Sequence, residues 1–300
     1  MGKGLKDDNR KRNYLLLVES FYDEGKIDKA LEFYKKSLKF VKDKNEKIDL
    51  MLNIALLNDE IGDKQEALKI YHEIINNEPK YAGAYYGIAI IYDDLGDKEK
   101  ALDYFYKAIE WDPYYDRAYF YVANIFDEWG EKHKALEYYQ KVIKIKQDDY
   151  IAFNNMGAIY EELKEYNKAL DMVNKSIAIS LNYFKSLFNK GVILKHLGNE
   201  EEAIYFYNKS IDVNPHYPYS YLNKSVIYIE RGDFSNAIEV LTLGINKNPD
   251  TGFLYYNRAC SYGKTGQKEL AREDLNKAIE LYPRFREISK TDSDLAHVFN

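Results

Sequence analysis

The feature that most constrains this chain is a repeat of 34 residues, which three residue types mark independently. Alanines keep this spacing without exception at Ala67, Ala101, Ala135, Ala169, Ala203, Ala237 and Ala271. Glycines run five residues ahead of them, with Lys164 as the single substitution. Five prolines share the frame: Pro79, Pro113, Pro215, Pro249 and Pro283. A period this regular indicates stacked supersecondary units that each pack on their neighbours.

One period encodes two helices. From Ala82 to Leu95 the apolar residues recur at three and four positions, which predicts an amphipathic helix. Gly96 then supplies a left-handed helix end and Asp97 can cap the next helix. A second apolar stripe stops at Asp112-Pro113, because proline cannot continue a helix. Each unit is therefore predicted to be a pair of antiparallel helices.

This pattern of alanine, glycine and proline resembles the tetratricopeptide repeat (TPR) family over about nine-tenths of the chain. The resemblance implies an all-α fold, a right-handed superhelical solenoid of about eight helix-turn-helix units whose first helices line a concave face. We place the repeats at 11–44, 48–81, 82–115, 116–149, 150–183, 184–217, 218–251 and 252–285. Residues 45–47 are a small insertion, 1–10 a polar lead expected to fray, and 286–300 a C-terminal cap that ends in the amphipathic stretch 293–299.

The composition argues against several function classes. The chain has 43 basic and 49 acidic residues and no basic tail or patch, which disfavours a nucleic-acid binder that neutralises phosphates. Its apolar stretches are too short to span a membrane, and its start does not read as a signal peptide. The single cysteine, Cys260, excludes an intrachain disulfide, so we expect a cytoplasmic protein. The five histidines show no ligand spacing, and we predict no metal, no cofactor and no catalytic residue.

Binding is therefore sought on the concave face, at the first-helix positions off the packing stripe. In the third repeat these are Gly83, Tyr86, Gly87, Ile90, Asp93 and Asp94. The place of Gly87 holds asparagine in five repeats: Asn53, Asn155, Asn189, Asn223 and Asn257. An amide both donates and accepts, so it can bind the backbone of an extended peptide. The row resembles the asparagine ladder of O-linked N-acetylglucosamine transferases, but asparagine is also common here across the family, and both interpretations stay open.

Carboxylates form a second row, at the places of Asp93 and Asp94. Its members are Asp23, Asp59, Glu60, Asp93, Asp94, Asp127, Glu128, Glu161 and Glu162. They are interpreted either as a solvated face or as a surface that attracts a basic segment. Lys190, Lys224 and Arg258 directly follow the later asparagines. We therefore hypothesise a bound segment that is basic over repeats one to five, and that over repeats six to eight is either acidic or recognised through its backbone. Lys98, Lys107 and Lys132 are interpreted as solvated charges of the outer face.

A third set mixes cations with aromatic side chains, which are common anchors of interfaces. It comprises Arg117, Phe120, Lys185, Phe188, Tyr219, Phe253 and Tyr256. Chaperone-binding TPR proteins hold a carboxylate with a clamp of five polar residues. Asn124, Asn155 and Lys185 match three of its places, whereas Phe120 and Asn189 stand where the other two cations belong. The resemblance to that clamp is half complete.

The sequence thus predicts a non-catalytic scaffold that binds a partner protein or an extended peptide, with no nucleic acid and no membrane. The predicted groove residues are Asn53, Tyr86, Asp93, Asp94, Arg117, Phe120, Asn124, Asp127, Glu128, Asn155, Lys185, Phe188, Asn189, Asn223, Tyr256 and Asn257. Two alternatives remain: the binding arm of a larger enzyme or regulator, and a self-associating scaffold.

Overall fold

The computed structural model describes residues 2–295, with side chains from residue 7 onward. Within these residues the chain is entirely helical, without a strand, and no helix is long and apolar enough to cross a membrane. The helices are α1 (Gly2–Asp23), α2 (Ile27–Leu38), α3 (Lys44–Glu60), α4 (Lys64–Asn77), α5 (Ala82–Asp94), α6 (Lys98–Trp111), α7 (Asp116–Glu128), α8 (Lys132–Ile145), α9 (Tyr150–Glu162), α10 (Tyr166–Ile179), α11 (Phe184–His196), α12 (Glu200–Val213), α13 (Pro218–Glu230), α14 (Phe234–Lys247), α15 (Gly252–Lys264), α16 (Lys268–Leu281) and α17 (Phe285–Thr291). The first sixteen form eight pairs, in which the first member is called the A helix and the second the B helix.

The turn inside each pair follows the predicted chemistry. Gly96 has φ 79°, and the side chain of Asp97 accepts a 3.2 Å hydrogen bond from the Lys100 backbone N–H. The fifth pair makes the same turn with Lys164 at φ 61°, the one residue other than glycine with positive φ among those described. Because a side chain in the left-handed region costs about 1 kcal/mol, the surrounding helix pair must impose that conformation.

The B helices end at the same place with or without proline. α6 ends two residues before Pro113, and α8 and α10 end two residues before Gln147 and Leu181. The final backbone bonds are alike, with Asp112 N–H donating to Ala108 at 2.9 Å and Lys146 N–H to Val142 at 2.8 Å. The B helix therefore ends at this place even where the proline is missing.

Two segments near the N-terminus differ from the expectation. The lead 1–10 was expected to fray, but residues 2–10 belong to α1. Residues 45–47 were expected to be an insertion between repeats, but they lie inside α3, which begins at Lys44. Asp43 caps this longer helix by accepting a 2.9 Å bond from the Glu46 backbone N–H. The extra residues thus extend the second A helix by one turn.

The chain divides into two compact units, Met1–Gln147 and Asp148–Asn300, each with four repeats. In both units the periodic alanines of the B helices are completely buried. Their small side chains let neighbouring helices approach closely. Larger side chains fill the space between: Phe105 and Tyr139 in the first unit and Tyr207 in the second are almost inaccessible to solvent. A cap follows in the second unit, where Leu295 is fully buried against α15 and α16.

Candidate functional site: the faces of the A helices

The acidic row of the first unit is paired with lysines of the chain itself. Lys64 lies 2.7 Å from Asp94 and 3.7 Å from Asp59. One repeat later, Lys98 lies 2.7 Å from Asp93 and 3.0 Å from Glu128. The following lysine, Lys132, contacts Asp127 at 2.7 Å. We call Lys64, Lys98, Lys132 and these carboxylates the lysine ladder.

The lysine ladder explains how carboxylates are tolerated at the C-terminal ends of A helices, where the helix dipole disfavours negative charge. Each lysine begins a B helix and pairs with a carboxylate of the A helix before it. Lys64 and Lys98 also pair with a carboxylate of the next A helix. Burial lowers the pKa of Lys98, but hydrogen bonds to Asp93 and Glu128 outweigh it and raise the pKa. The interpretation of Lys98 and Lys132 as solvated outer charges is therefore wrong, because both are partly buried ion-pair partners.

In the second unit, residues at the places of Asp93 and Asp94 contact each other directly between repeats, without a bridging lysine. Glu161 contacts His196 of the next A helix at 3.1 Å, and Lys195 contacts Glu230 of the one after at 2.8 Å. His196 also stacks on Tyr166, which occupies the place of Lys64 in that repeat. The row of charges thus continues with alternating partners, and it contributes to repeat packing in both units.

The first repeat breaks this pattern and leaves a pocket. Ile27 stands where later repeats have the bridging lysine, and Tyr22 stands where they have an aspartate. The opening, of about 410 Å³, is lined by α1, α2 and α3. Its lining residues are Val18, Glu19, Tyr22, Asp23, Tyr34, Asn53, Leu56, Leu57 and Glu60. Six of these occupy places that the sequence assigns to the concave face, so the pocket lies on the faces of two A helices.

The asparagine row is partly used inside the second unit. Asn223 and Asn257 each donate to a backbone carbonyl four residues earlier in their own helices, at 3.0 and 2.8 Å. The side-chain amide of Asn189 donates to the side-chain oxygen of Asn154 at 2.9 Å, and that of Asn154 donates to the side-chain oxygen of Asn155 at 3.3 Å. In the bonds of Asn223 and Asn257 the amide nitrogens are the donors, and the side-chain oxygens take no part. In the first unit, Asn53 lines the pocket.

A buried polar network beside Asn189 was not anticipated. Ser186 donates to Asn154 at 3.0 Å and contacts Ser176 at 2.6 Å, and Ser176 lies 2.6 Å from the Tyr150 carbonyl. Asn154, Ser176 and Ser186 are almost fully buried. The signal was present in the sequence, because Ser176 and Ser186 stand where most other repeats carry apolar residues. The same two places hold Ser210 and Ser220 one repeat later, and there too the hydroxyls are hydrogen-bonded, at 2.9 Å. The network fixes Asn154 and, through it, Asn189.

The aromatic residues of the predicted groove pack mainly on other rings. Tyr86 contacts Tyr115 at a centroid distance of 5.1 Å, and burial raises the pKa of its hydroxyl. Phe120 meets Tyr139 edge to face at 5.6 Å, and the hydroxyl of Tyr139 donates to Asn124. Asn124 is thus held inside the fold, which weakens the resemblance to the chaperone clamp. Phe188 packs on Tyr217 at 5.1 Å, whereas Arg117 and Lys185 are exposed.

Three cations expected beside the groove turn toward the B helices instead. Lys190 lies 4.2 Å from the ring centre of Phe206, and Lys224 donates to Asn208 at 2.8 Å. Burial lowers the pKa of both lysines. These contacts remove the cations on which the hypothesis of an acidic bound segment over repeats six to eight depended.

The third of these cations, Arg258, is part of a buried ion pair. Its guanidinium binds both carboxylate oxygens of Asp274, at 2.6 and 2.8 Å, and donates to Thr242 at 2.9 Å. Asp274 is only 7% exposed. A bidentate pair with an additional donor is the arrangement that makes such a burial tolerable. Arg258 therefore joins three consecutive helices, α14 to α16.

The cap occupies the A-helix face of the last repeat. Phe285 stacks on Tyr256 at 4.5 Å, and the Tyr256 hydroxyl donates to Asp292 at 2.7 Å. Lys264 pairs with Asp294 at 2.6 Å. Burial, with Asp292 nearby, raises the pKa of the Cys260 thiol. Tyr256, predicted as a groove anchor, is consequently covered by the chain itself; the remainder of the predicted amphipathic stretch, 296–299, lies outside the described residues.

Sequence comparison places these features in a known family. Models described as tetratricopeptide repeat match residues 49–81, 82–115, 116–149, 150–183, 184–217, 218–251 and 253–285. The chain belongs to the tetratricopeptide repeat family. This TPR fold generally serves as a non-catalytic scaffold for protein–protein interaction. No curated protein matches the chain significantly.

Solved structures share the fold at low sequence identity. The APC/C hetero-tetramer Cut9–Hcn1 matches with a TM-score of 0.62 and 17% identity, covering 95% of this chain and 54% of the other. PilF of Pseudomonas aeruginosa matches with a TM-score of 0.59 and 19% identity, over 70% of this chain and 97% of its own. The MamA protein matches with a TM-score of 0.50 and 20% identity, over 57% and 93% respectively. At these identities the likeness concerns the fold alone.

Proposed function

We propose that this TPR chain is a non-catalytic, cytoplasmic interaction module that binds a peptide segment or a partner protein on the faces of its A helices. The observation that carries the proposal is the pocket between α1, α2 and α3. It lies on the face that the repeat pattern assigns to binding, and it exposes half-buried apolar side chains beside polar ones. Tyr22 and Leu56 are each 49% exposed there. Membership of an interaction family supports the same conclusion.

A lining of this kind suits a peptide. Apolar side chains that remain half exposed gain by being covered, at roughly 25 cal/mol per Å² of apolar area removed from water. At the rim, the amide of Asn53 can donate and accept hydrogen bonds, and the neighbouring carboxylates can accept them. An extended segment crossing α1 and α3 would meet both kinds of group within one turn of helix.

The proposal is tested by selecting binders from a random twelve-residue peptide library displayed on phage, with the full chain as bait. Leu56→Ala should weaken the selected binders because it removes apolar lining. Leu243→Ala is the matched control, since Leu243 is 52% exposed but lies on a B helix. Equal weakening by both changes, or binders that ignore both, would refute binding on the A-helix face.

A further inference from the structure

The pocket of the first two repeats lacks the lysine that pairs with carboxylates in the lysine ladder. In repeats two to four a lysine at the start of the B helix pairs with carboxylates of the row. In the first repeat Ile27 holds that place, and the preceding cation, Lys26, pairs with Glu24. Glu60, which corresponds to Asp94 and Glu128, therefore has no ion-pair partner among the described residues.

Two further carboxylates line the same pocket. Glu19 and Asp23, one turn apart on α1, line the pocket with Glu60 of α3. Neither forms an ion pair with any residue that the structure describes, and no lysine or arginine lines the pocket. Three negative charges thus surround an opening whose walls are apolar and aromatic. The field in such a recess attracts a cation and repels an anion.

The remaining lining matches a long aliphatic stem. Leu56, Leu57 and Val18 form the apolar side of the pocket. Tyr22 and Tyr34 add two rings, whose faces attract cations within about 6 Å of the ring centre. Burial, together with the charge of Glu19, raises the pKa of Tyr34. The pocket, of about 410 Å³, is large enough for one long side chain.

We propose that this pocket receives an arginine or lysine side chain of a partner peptide, with its charged end among Glu19, Asp23 and Glu60 and its stem against Leu56. Arginine and lysine combine a cation with a methylene stem that tolerates apolar surroundings. The inference rests on the proposed function and assigns a chemical class to its partner: a segment with a basic residue flanked by apolar ones. This preference is restricted to the first two repeats, because Asp93, Asp94, Asp127 and Glu128 are paired with the ladder lysines and Glu161 contacts His196.

The test uses the peptides selected on the full chain. Binders should be enriched in arginine or lysine, and replacing that residue by citrulline, which removes the charge of arginine but keeps its shape, should weaken binding about tenfold. Glu60→Gln should weaken binding about three- to fivefold, as expected for a partly exposed ion pair. Glu128→Gln is the matched control, because Glu128 occupies the same place but is paired with Lys98. It should leave affinity within about twofold.

A gain of the missing lysine provides a second variant. Ile27→Lys copies repeats two to four and should let the new cation pair with Glu60, which lowers affinity for the basic peptide without removing a carboxylate. Circular dichroism of each variant checks the fold. Binders without basic residues, or equal effects of Glu60→Gln and Glu128→Gln, would overturn this inference and leave the proposed function standing. A library that yields no binder at all would overturn both.

Discussion

At the scale of single residues, two buried tyrosines occupy the same place in different repeats, but only one of them forms a hydrogen bond through its hydroxyl. Comparing them separates the contribution of the hydrogen bond to stability from that of the buried ring. Tyr139 and Tyr207 are both almost fully buried. The hydroxyl of Tyr139 donates to Asn124, whereas that of Tyr207 has no hydrogen-bond partner among the described residues. A buried polar group without a partner loses its hydration and gains nothing in return.

We therefore expect opposite responses to the same change. Tyr139→Phe should lower the free energy of unfolding by about 1 kcal/mol, because Asn124 loses its partner. Tyr207→Phe should leave it unchanged or raise it by up to about 1 kcal/mol. Urea unfolding followed by circular dichroism measures both. A clear loss of stability in Tyr207→Phe would show that its hydroxyl has a partner.

Lys164 offers a second prediction at this scale. It is the one described residue other than glycine with positive φ, at 61°. Lys164→Gly should raise the free energy of unfolding by about 1 kcal/mol, because glycine adopts this conformation without a steric cost. Lys175→Gly, in the middle of α10, is the control and should lower it by about 1 kcal/mol. If both changes destabilise equally, the backbone at residue 164 is not strained.

At the scale of elements, the cap 285–295 acts on α15 as a cover. Phe285 stacks on Tyr256, and Leu295 packs in the same cluster as Cys260. Since Cys260 is the single cysteine of the chain, its reaction with iodoacetamide reports directly on this cover. The raised pKa of the thiol and its burial both predict slow labelling at neutral pH, because the thiolate is the reactive form.

Phe285→Ala should accelerate labelling of Cys260 about tenfold, because lost ring stacking of ~1.4 kcal/mol shifts the cap toward its open state by that factor. Ile288→Ala is the control, since Ile288 of α17 is 40% exposed and outside that cluster. Labelling should stay near the wild-type rate there. An unchanged rate in Phe285→Ala would mean that the cap does not protect the thiol.

At the scale of the whole molecule, the repeats give the chain a nearest-neighbour stability. A Cβ atom on Gly191 would lie 2.6 Å from the ring of Tyr207, so Gly191→Ala forces a buried side chain to move. Overpacking of this kind costs about 1–3 kcal/mol. We expect amide hydrogen exchange to accelerate in α11 and α12 while α3 to α6, in the other unit, keep their protection. Uniform acceleration across the chain would contradict this nearest-neighbour behaviour.

The sequence predicts the helix pairs well because their signals are local. Alanine spacing, the glycine before Asp97 and the proline after Asp112 each act through backbone or packing rules that need no partner from elsewhere in the chain. The start of α3 at Lys44 was missed, because Asp43 caps a helix that the repeat frame placed later.

The site was harder to predict, because its carboxylates form ion pairs with residues of neighbouring repeats. Spacing alone identifies Asp93 and Glu128 as members of one row. It does not show that Lys98 reaches both of them, since Asp93 lies on the preceding helix whereas Glu128 lies in the next repeat. The free carboxylate of Glu60 becomes informative only once the pairing in later repeats is known. The covering of Tyr256 by Phe285 likewise depends on the path of the chain after α16.

The most direct test of the account is amide hydrogen exchange of the full chain with and without a selected basic peptide. The account predicts that protection increases mainly in α1 and α3, around Tyr22 and Leu56, with little change in α4 and α6. Increased protection on the B helices α4 and α6, with none in α1 and α3, would contradict binding on the A-helix faces.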